Sequence, residues 1–182
     1  MKILKLLCIF CFSVLFSFSQ TARPAKDIMK EAFEKAVKEN KNVFVKFSAS
    51  WCGWCHKMDA SMKDPSCKKF FDDNFVIVTL ITGEQNSKSQ LNNPGADSLI
   101  LKYNGEPNEG LPFWFILSST GKLLQDCFIH EEGKAFTKRD NSIGCPATER
   151  EVNAFVKALK NTTPLNAQQL QIIKKTFRKN EN

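Results

Sequence analysis

The sequence lacks an uncharged run long enough to cross a bilayer comfortably, which takes about 20 apolar residues. Its longest uncharged and mostly apolar run, Leu6 to Phe18, has 13 residues. Past residue 19 it lacks a second closely spaced cysteine pair, so the one pair there, Cys52 and Cys55, cannot complete a four-cysteine zinc site. It has no internal repeat, which sets aside solenoids and propellers. It also lacks the charge excess of a disordered chain: 25% of residues are charged against 42% hydrophobic. A chain of 182 residues with this balance suits one globular domain with modest additions.

The short apolar run has its own meaning. Lys2 and Lys5 precede it, and the small residues Ser17 and Ser19 follow it, spaced for cleavage before Gln20. This is the build of a secretory signal peptide over residues 1–19. An uncleaved anchor is the main alternative. A lipoprotein is disfavoured, because neither Cys8 nor Cys11 follows a convincing acylation signal. Losing Lys2 and Lys5 leaves 24 basic against 19 acidic side chains and lowers the net charge from +7 to +5. Part of that excess lies at Lys174, Lys175, Arg178 and Lys179, where a solvated helix face is the expected reading. Nucleic acid is an improbable partner for an exported protein.

The pattern along the chain alternates. Asp27 is placed to cap a helix with Ile28, Ala32, Phe33, Ala36 and Val37 on its apolar side, ended by Asn40 and Lys41. Val43 to Phe47 reads as a strand. A turn follows, and Cys52 opens a helical stretch that Pro65 interrupts. Phe75 to Ile81 is a second strand. It lacks clean alternation, which suggests cover on both faces as in a parallel sheet.

Gly83 to Gly95 is a loop, Asp97 to Tyr103 a short helix, and Asn104 to Gly110 another loop. Pro112 to Leu117 makes a third strand. Ser118 to Gly121 turns it back into Lys122 to Ile129, with Gly121 free to take positive φ. Glu131 to Pro146 is polar and irregular. Thr148 with Glu151 forms a capping box for a helix through Leu159, and Thr163 and Pro164 start a last amphipathic helix. Strands alternating with helices and closed by a hairpin imply an α/β fold, a central mixed sheet with helices on both faces.

Chemistry concentrates in Trp51-Cys52-Gly53-Trp54-Cys55-His56, between a buried strand and a helix. Disulfide exchange needs an ionised, accessible sulfur and a second sulfur near enough to resolve the mixed disulfide. At a helix start, unpaired N–H groups and the helix dipole favour negative charge, so the Cys52 thiol should be more acidic than a free one. Cys55 lies one turn later and deeper. Cys52 is therefore the expected nucleophile and Cys55 the resolving thiol.

The stretch Val43 to Met58, VFVKFSASWCGWCHKM, resembles the active-site strand and helix of the thioredoxin superfamily, and most of all exported members with a Trp-Cys-Gly-Trp-Cys centre. Gly110-Leu111-Pro112-Phe113 resembles the family's cis-proline loop. By element order the likeness runs from about Ala25 to Leu159. It implies a thioredoxin-like domain over 20–161, with an amphipathic helix and basic tail over 162–182.

The resemblance also implies a cis Leu111–Pro112 bond facing the cysteine pair. Leu111 could then offer backbone groups to an extended substrate segment. A trans proline at a strand start is the alternative. Gly53 and Trp54 between the sulfurs should tune their potential. Trp51 and Trp54 could form an apolar docking surface, though for Trp51 packing against the domain body is favoured. His56 is expected to be an ordinary exposed helical histidine.

Two departures stand out. Lys46 occupies the strand position where many thioredoxins carry a buried acid. It could relay a proton if burial lowered its pKa, or snorkel to solvent as a structural residue. The interval from Cys55 to Pro112 is also long for a minimal member. The extra length falls in Gly83 to Gly95 and Asn104 to Gly110, either as partner-selecting loops or as plain surface.

Of the other cysteines beyond the leader, Cys127 is expected to be a buried thiol, and Cys145 exposed enough to react. A Cys127–Cys145 bridge stays open, as does the state of Cys67.

The expected function is an extracytoplasmic thiol–disulfide oxidoreductase, periplasmic in a Gram-negative host or secreted. It would reduce disulfides in exported proteins, supplied with electrons by an upstream dithiol protein. No cofactor or metal is called for, and a monomer without stable membrane association is expected. Isomerase and oxidase share the chemistry and are the near alternatives. Two readings from other classes remain. Cys52-Gly53-Trp54-Cys55-His56 matches the c-type haem attachment pattern, with Met58 or Met62 as a second ligand. The pair with a nearby methionine could also hold Cu(I).

Overall fold

A computed structural model describes residues 21–106, 108–130 and 141–181. The expected leader over 1–19 lies outside the described residues, as do residues 131–140 of the polar stretch. Among the described residues no helix is long and apolar enough to cross a membrane.

The chain opens with α1 (Ala25–Glu39). Pro24, not Asp27, stands at its N-cap, and Asp27 sits in the first turn, where its charge meets the positive helix end. Asn40 ends it in the left-handed conformation, φ 52°, with its N–H on the Ala36 and Val37 carbonyls. The buried stripe is Ala25, Met29, Ala32 and Ala36, while Val37 is exposed. Small alanines let this helix lie close to the sheet, so they and not the larger Val37 mark the inner face.

β1 (Asn42–Ser48) follows, then α2 (Gly53–Lys63), α3 (Lys68–Asn74) and β2 (Phe75–Ile81). After a loop containing a 3-10 turn (Asn86–Leu91) come α4 (Ala96–Lys102), β3 (Trp114–Leu117) and β4 (Leu123–Asp126). The strands form one mixed sheet in the order β2-β1-β3-β4. β1 runs parallel to β2 with Lys46 opposite Thr79, and antiparallel to β3 with Lys46 opposite Trp114. β2 is an edge strand. Ile77 and Thr79 are exposed, so its two faces are not equally covered, contrary to the reading from its sequence. β4 is shorter than expected. Beyond it a single bridge joins Phe128 to Ser142.

Two more helices close the fold. α5 (Glu149–Thr162) starts with the expected capping box, Thr148 with Glu151. α6 (Ala167–Arg178) starts at a second capping box, Asn166 with Gln169, and not at Thr163 and Pro164. The Asn166 box satisfies two orphan N–H groups at once, which a proline start cannot do.

Aromatic side chains pack both faces of the sheet. Phe44 stacks on Trp114 at 5.4 Å, with Phe155 of α5 edge-on to Trp114 and Phe177 of α6 4.8 Å from Phe155. On the opposite face Phe47, Phe113, Phe115 and Tyr103 meet. Full burial of each such ring contributes about 1.5–3 kcal/mol by removal from water. This is the α/β mixed sheet with helices on both faces that the element order implied.

Helix α6 belongs to the same core through Ile173 and Phe177. Its basic residues are not all a free solvated face: Lys174 pairs with Glu149 at 3.5 Å and Lys179 with Asp64 at 3.7 Å. Past its end, Asn180 is buried. Its side chain accepts from Ser61 Oγ at 3.0 Å and donates to the Pro146 carbonyl at 3.1 Å, and its backbone oxygen accepts from Lys57 at 3.1 Å.

Candidate redox site

β1 is β-branched and aromatic, suited to a central strand covered on both faces. It delivers the chain to a turn, Ala49 to Trp51, after which Cys52 caps α2. Cys52 is joined to Cys55 by a disulfide, with S–S 2.01 Å and Cα–Cα 5.3 Å. As N-cap it has extended backbone, φ −82° and ψ 92°, and its Sγ accepts from the Cys55 N–H at 3.1 Å. A helix start presents unpaired N–H groups and the positive end of the dipole to that sulfur. When the bond is reduced, these favour the thiolate on Cys52.

Both sulfur-bearing residues are largely covered: Cys52 is 4% exposed and Cys55 1%. Less of Cys52 is open than the sequence reading required, because Leu111 and Ala49 pack against the pair. The order is as expected, with Cys55 the deeper. Its Sγ lies 3.9 Å from the Phe47 carbonyl, where a reduced thiol has an acceptor to point at.

The Leu111–Pro112 peptide bond is cis. It follows the 104–110 loop and puts Leu111 over the disulfide. A cavity of about 370 Å³ is lined by Trp54, Leu111, Pro112, Ile143, Cys145 and neighbouring residues. A second, of about 410 Å³, lies on the other side between Trp51, Leu101 and Leu111. The structure thus brings Trp51, Cys52, Gly53, Trp54, Cys55, Leu111 and Pro112 to one end of the sheet. Trp51 does not pack into the domain body. It is 63% exposed, tethered by its indole N–H to the Gly83 carbonyl at 3.0 Å. Trp54 is also exposed, with the Lys57 ammonium 4.7 Å from its ring centroid. His56 is an exposed helical histidine whose Nε2 lies 3.2 Å from the Ser50 carbonyl.

Lys46 is not part of that end. It neither snorkels nor faces the tryptophans: it is 3% exposed and its Nζ lies 2.5 Å from the Asp59 carboxylate. The pair lines a separate cavity of about 240 Å³ between α2, α3 and β2. Asp59 was missed in the sequence. Its signal was there, since it stands four residues after Cys55 and so on the same helix face. Met58 and Met62 are buried in the core and do not face the exposed side of the cysteine motif. Among the described residues no group of three or more His, Cys, Asp and Glu side chains converges as a metal site.

Among the described residues the other cysteines, Cys67, Cys127 and Cys145, are free and buried, so there is no Cys127–Cys145 bridge. Cys145 is 6% exposed, not the open thiol its loop position suggested, because Asn180 and the 142–147 segment cover it. Burial pushes its pKa up to about 12 and raises those of Cys67 and Cys127 as well. Cys67 also donates to the Ser61 carbonyl at 3.1 Å.

Folding therefore holds these thiols neutral. Their contribution is intact below the ordinary thiol pKa of 9.0 and is lost as pH rises past it, where the unfolded chain ionises first. In oxidised protein freed of residues 1–19, a thiol reagent at pH 8 is expected to find no fast-reacting group. The three cysteines should become reactive together only in denaturant. Rapid labelling of Cys145 in the native state would contradict its burial.

A thioredoxin-like family profile matches residues 25–119, a span that holds both the disulfide and the cis proline. The chain belongs to the thioredoxin-like family. Within that family span the chain carries a bonded Cys-x-x-Cys pair at a helix start, the arrangement that thiol–disulfide exchange requires.

Among curated proteins it is 40% identical over 50 residues to mouse (Mus musculus) spermatogenesis-associated protein 20, covering 27% of this chain and 6% of that one. It is 35% identical over 75 residues to an uncharacterized protein of Caenorhabditis elegans, covering 41% and 9%. The chain thus spans less than a tenth of the length of these relatives. Among solved structures it is similar to a disulphide isomerase from Xylella fastidiosa Temecula1, with TM-score 0.46 and 18% identity over 87% of this chain and 92% of that one. It is also similar to the C-terminal domain of Neisseria meningitidis DsbD in its oxidised form, with TM-score 0.39 and 22% identity over 58% and 86%.

Proposed function

We propose that the protein works outside the cytoplasm, where it reduces disulfide bonds in other exported proteins. The observation that carries this reading is the disulfide seated at the N-cap of α2 beneath the Leu111–Pro112 loop. Reduced Cys52, as thiolate, attacks one sulfur of a partner disulfide. The partner's other sulfur leaves as a thiolate and takes a proton, and a mixed disulfide remains. Cys55 gives up its proton and attacks Cys52 Sγ. The partner leaves with both sulfurs reduced, and the bonded Cys52–Cys55 form results. Two electrons pass to the partner, and another dithiol protein must return them.

In this scheme Trp51, Gly53, Trp54, Leu111 and Pro112 border the partner's segment, and free backbone groups of Leu111 pair with it as an added strand. In the Lys46–Asp59 pair the Asp59 carboxylate, one turn beyond Cys55, is the member able to take the Cys55 proton, and Lys46 relays by holding that carboxylate and sharing its charge. The leader reading over 1–19 supports export, cleavage before Gln20, and work in the periplasm or beyond the cell. Residues 20–161 carry the chemistry, and 162–182 brace it. The protein acts as a monomer without a bound cofactor.

A redox titration of the Cys52–Cys55 pair against glutathione tests the direction. Reduction calls for a potential near about −270 mV, whereas an oxidase lies near about −120 mV and an isomerase near about −180 mV. A value at the oxidising end would overturn the reductase reading and leave the exchange chemistry standing.

A further inference from the structure

The loop between β2 and α4 is closed on itself by two asparagines. Asn93 accepts the Ile81 N–H on its side chain at 2.6 Å and returns its own N–H to the Ile81 carbonyl at 2.8 Å. Asn92 grips the Glu84 backbone from both sides: its Oδ1 accepts the Glu84 N–H and its Nδ2 donates to the Glu84 carbonyl, each at 2.9 Å. Glu84 is thereby held, and the residue is 5% exposed.

A carboxylate this buried is costly unless its oxygens are satisfied. Both go to one residue. Glu84 accepts the Ser50 backbone N–H through Oε1 and the Ser50 hydroxyl through Oε2 at 3.1 Å. Lys88 donates to the same hydroxyl at 2.9 Å, and His56 Nε2 meets the Ser50 carbonyl from the α2 side at 3.2 Å. Every polar group of Ser50 is thus engaged, two residues before Cys52. The Cys52 N–H in turn bonds the Ala49 carbonyl at 3.1 Å.

We infer that Glu84 is a positioning residue for the redox pair: through Ser50 it fixes the turn that sets Cys52 at the N-cap of α2. This deepens the reading of Cys52 as nucleophile and rests on it. The 83–95 segment then has a use other than partner choice or plain surface. It is a brace, and Glu84, its one acidic residue, is the point of contact. Hydrogen bonds to a charged acceptor are about twice as strong as neutral ones, which suits a carboxylate for holding a backbone N–H.

The test reads alkylation of reduced Cys52 by iodoacetamide at pH 7, located by mass, with the fold checked by far-UV circular dichroism. It needs no disulfide substrate. Glu84→Ala frees the turn and should slow alkylation about tenfold, the scale of losing a helix-terminus interaction. Glu84→Gln keeps an acceptor for the Ser50 N–H and should restore the rate to near wild type.

A role through charge alone would make both variants faster, because each removes a negative charge near the thiolate. A purely structural role would lower stability and leave both rates unchanged. Either result overturns the inference. Should Glu84→Ala fail to fold, Ser50→Ala removes the hydroxyl link alone and should be measurably slower; a wild-type rate there is equally fatal. If wild-type Cys52 reacts no faster than a free cysteine peptide, the nucleophile reading itself falls.

Discussion

Cys52→Ser should lose about three orders of magnitude or more in the reduction of a protein disulfide such as insulin, falling to the uncatalysed rate. A serine hydroxyl at a helix start is still far from ionised at neutral pH, so the backbone groups that favour a Cys52 thiolate have nothing to stabilise. Cys55→Ser should behave differently. Its Cys52 remains able to attack, but Cys55 is the buried partner that completes the exchange. That variant should accumulate a mixed disulfide with its substrate, visible as a reducible adduct in mass spectra. The asymmetry follows from placement: Cys52 caps α2 and Cys55 lies inside it. Equal adduct formation by both variants would remove the assignment of roles, and turnover by Cys52→Ser would remove the mechanism.

The second large effect concerns stability. Lys46 and Asp59 form an ion pair between β1 and α2, with the lysine buried and the aspartate partly exposed. Removing one partner of a buried pair typically costs about 3–5 kcal/mol, because the other charge stays buried alone. Asp59→Ala should therefore lower the unfolding free energy by about 3 kcal/mol, the lower end reflecting the partial exposure of Asp59. Replacing the whole pair, Lys46→Met together with Asp59→Leu, should instead be neutral or stabilising by about 1–4 kcal/mol, because no uncompensated charge is left at the site. Urea midpoints of the oxidised proteins read both. A loss below about 1 kcal/mol for Asp59→Ala, the range of an exposed pair, would mean that the lysine finds water or another partner.

The cysteine motif and the Leu111–Pro112 loop were legible because each is local. A sulfur pair at a strand-to-helix turn carries its geometry in a few neighbouring residues, and a proline before a strand marks a loop end, while its cis form came from the resemblance to the thioredoxin superfamily. Strand Phe75–Ile81 was read to the residue for the same reason, an apolar run with clear ends. What escaped was held by contacts remote in sequence. Glu84 reaches Ser50 across 34 positions, and nothing near either residue announces it. Cys145 is covered by Asn180 from 35 positions away. Lys46 was seen as an oddity, yet its fate depended on Asp59, whose helical spacing from Cys55 was the one clue. At the last helix two local signals competed, Pro164 and the Asn166 box. The box prevailed because it satisfies more backbone groups.

The buried Asn180 binds together segments that could otherwise come apart separately. Its bonds reach Ser61 and Lys57 on α2 and Pro146 before α5. Peeling the last helix from the body would leave that amide and the Ser61 hydroxyl without partners, and would open the back of the redox helix in the same event. The carboxy-terminal helix and the helix bearing the sulfurs thus form one cooperative unit, whose amides would exchange with solvent in step and not as an appendage fraying from a stable centre.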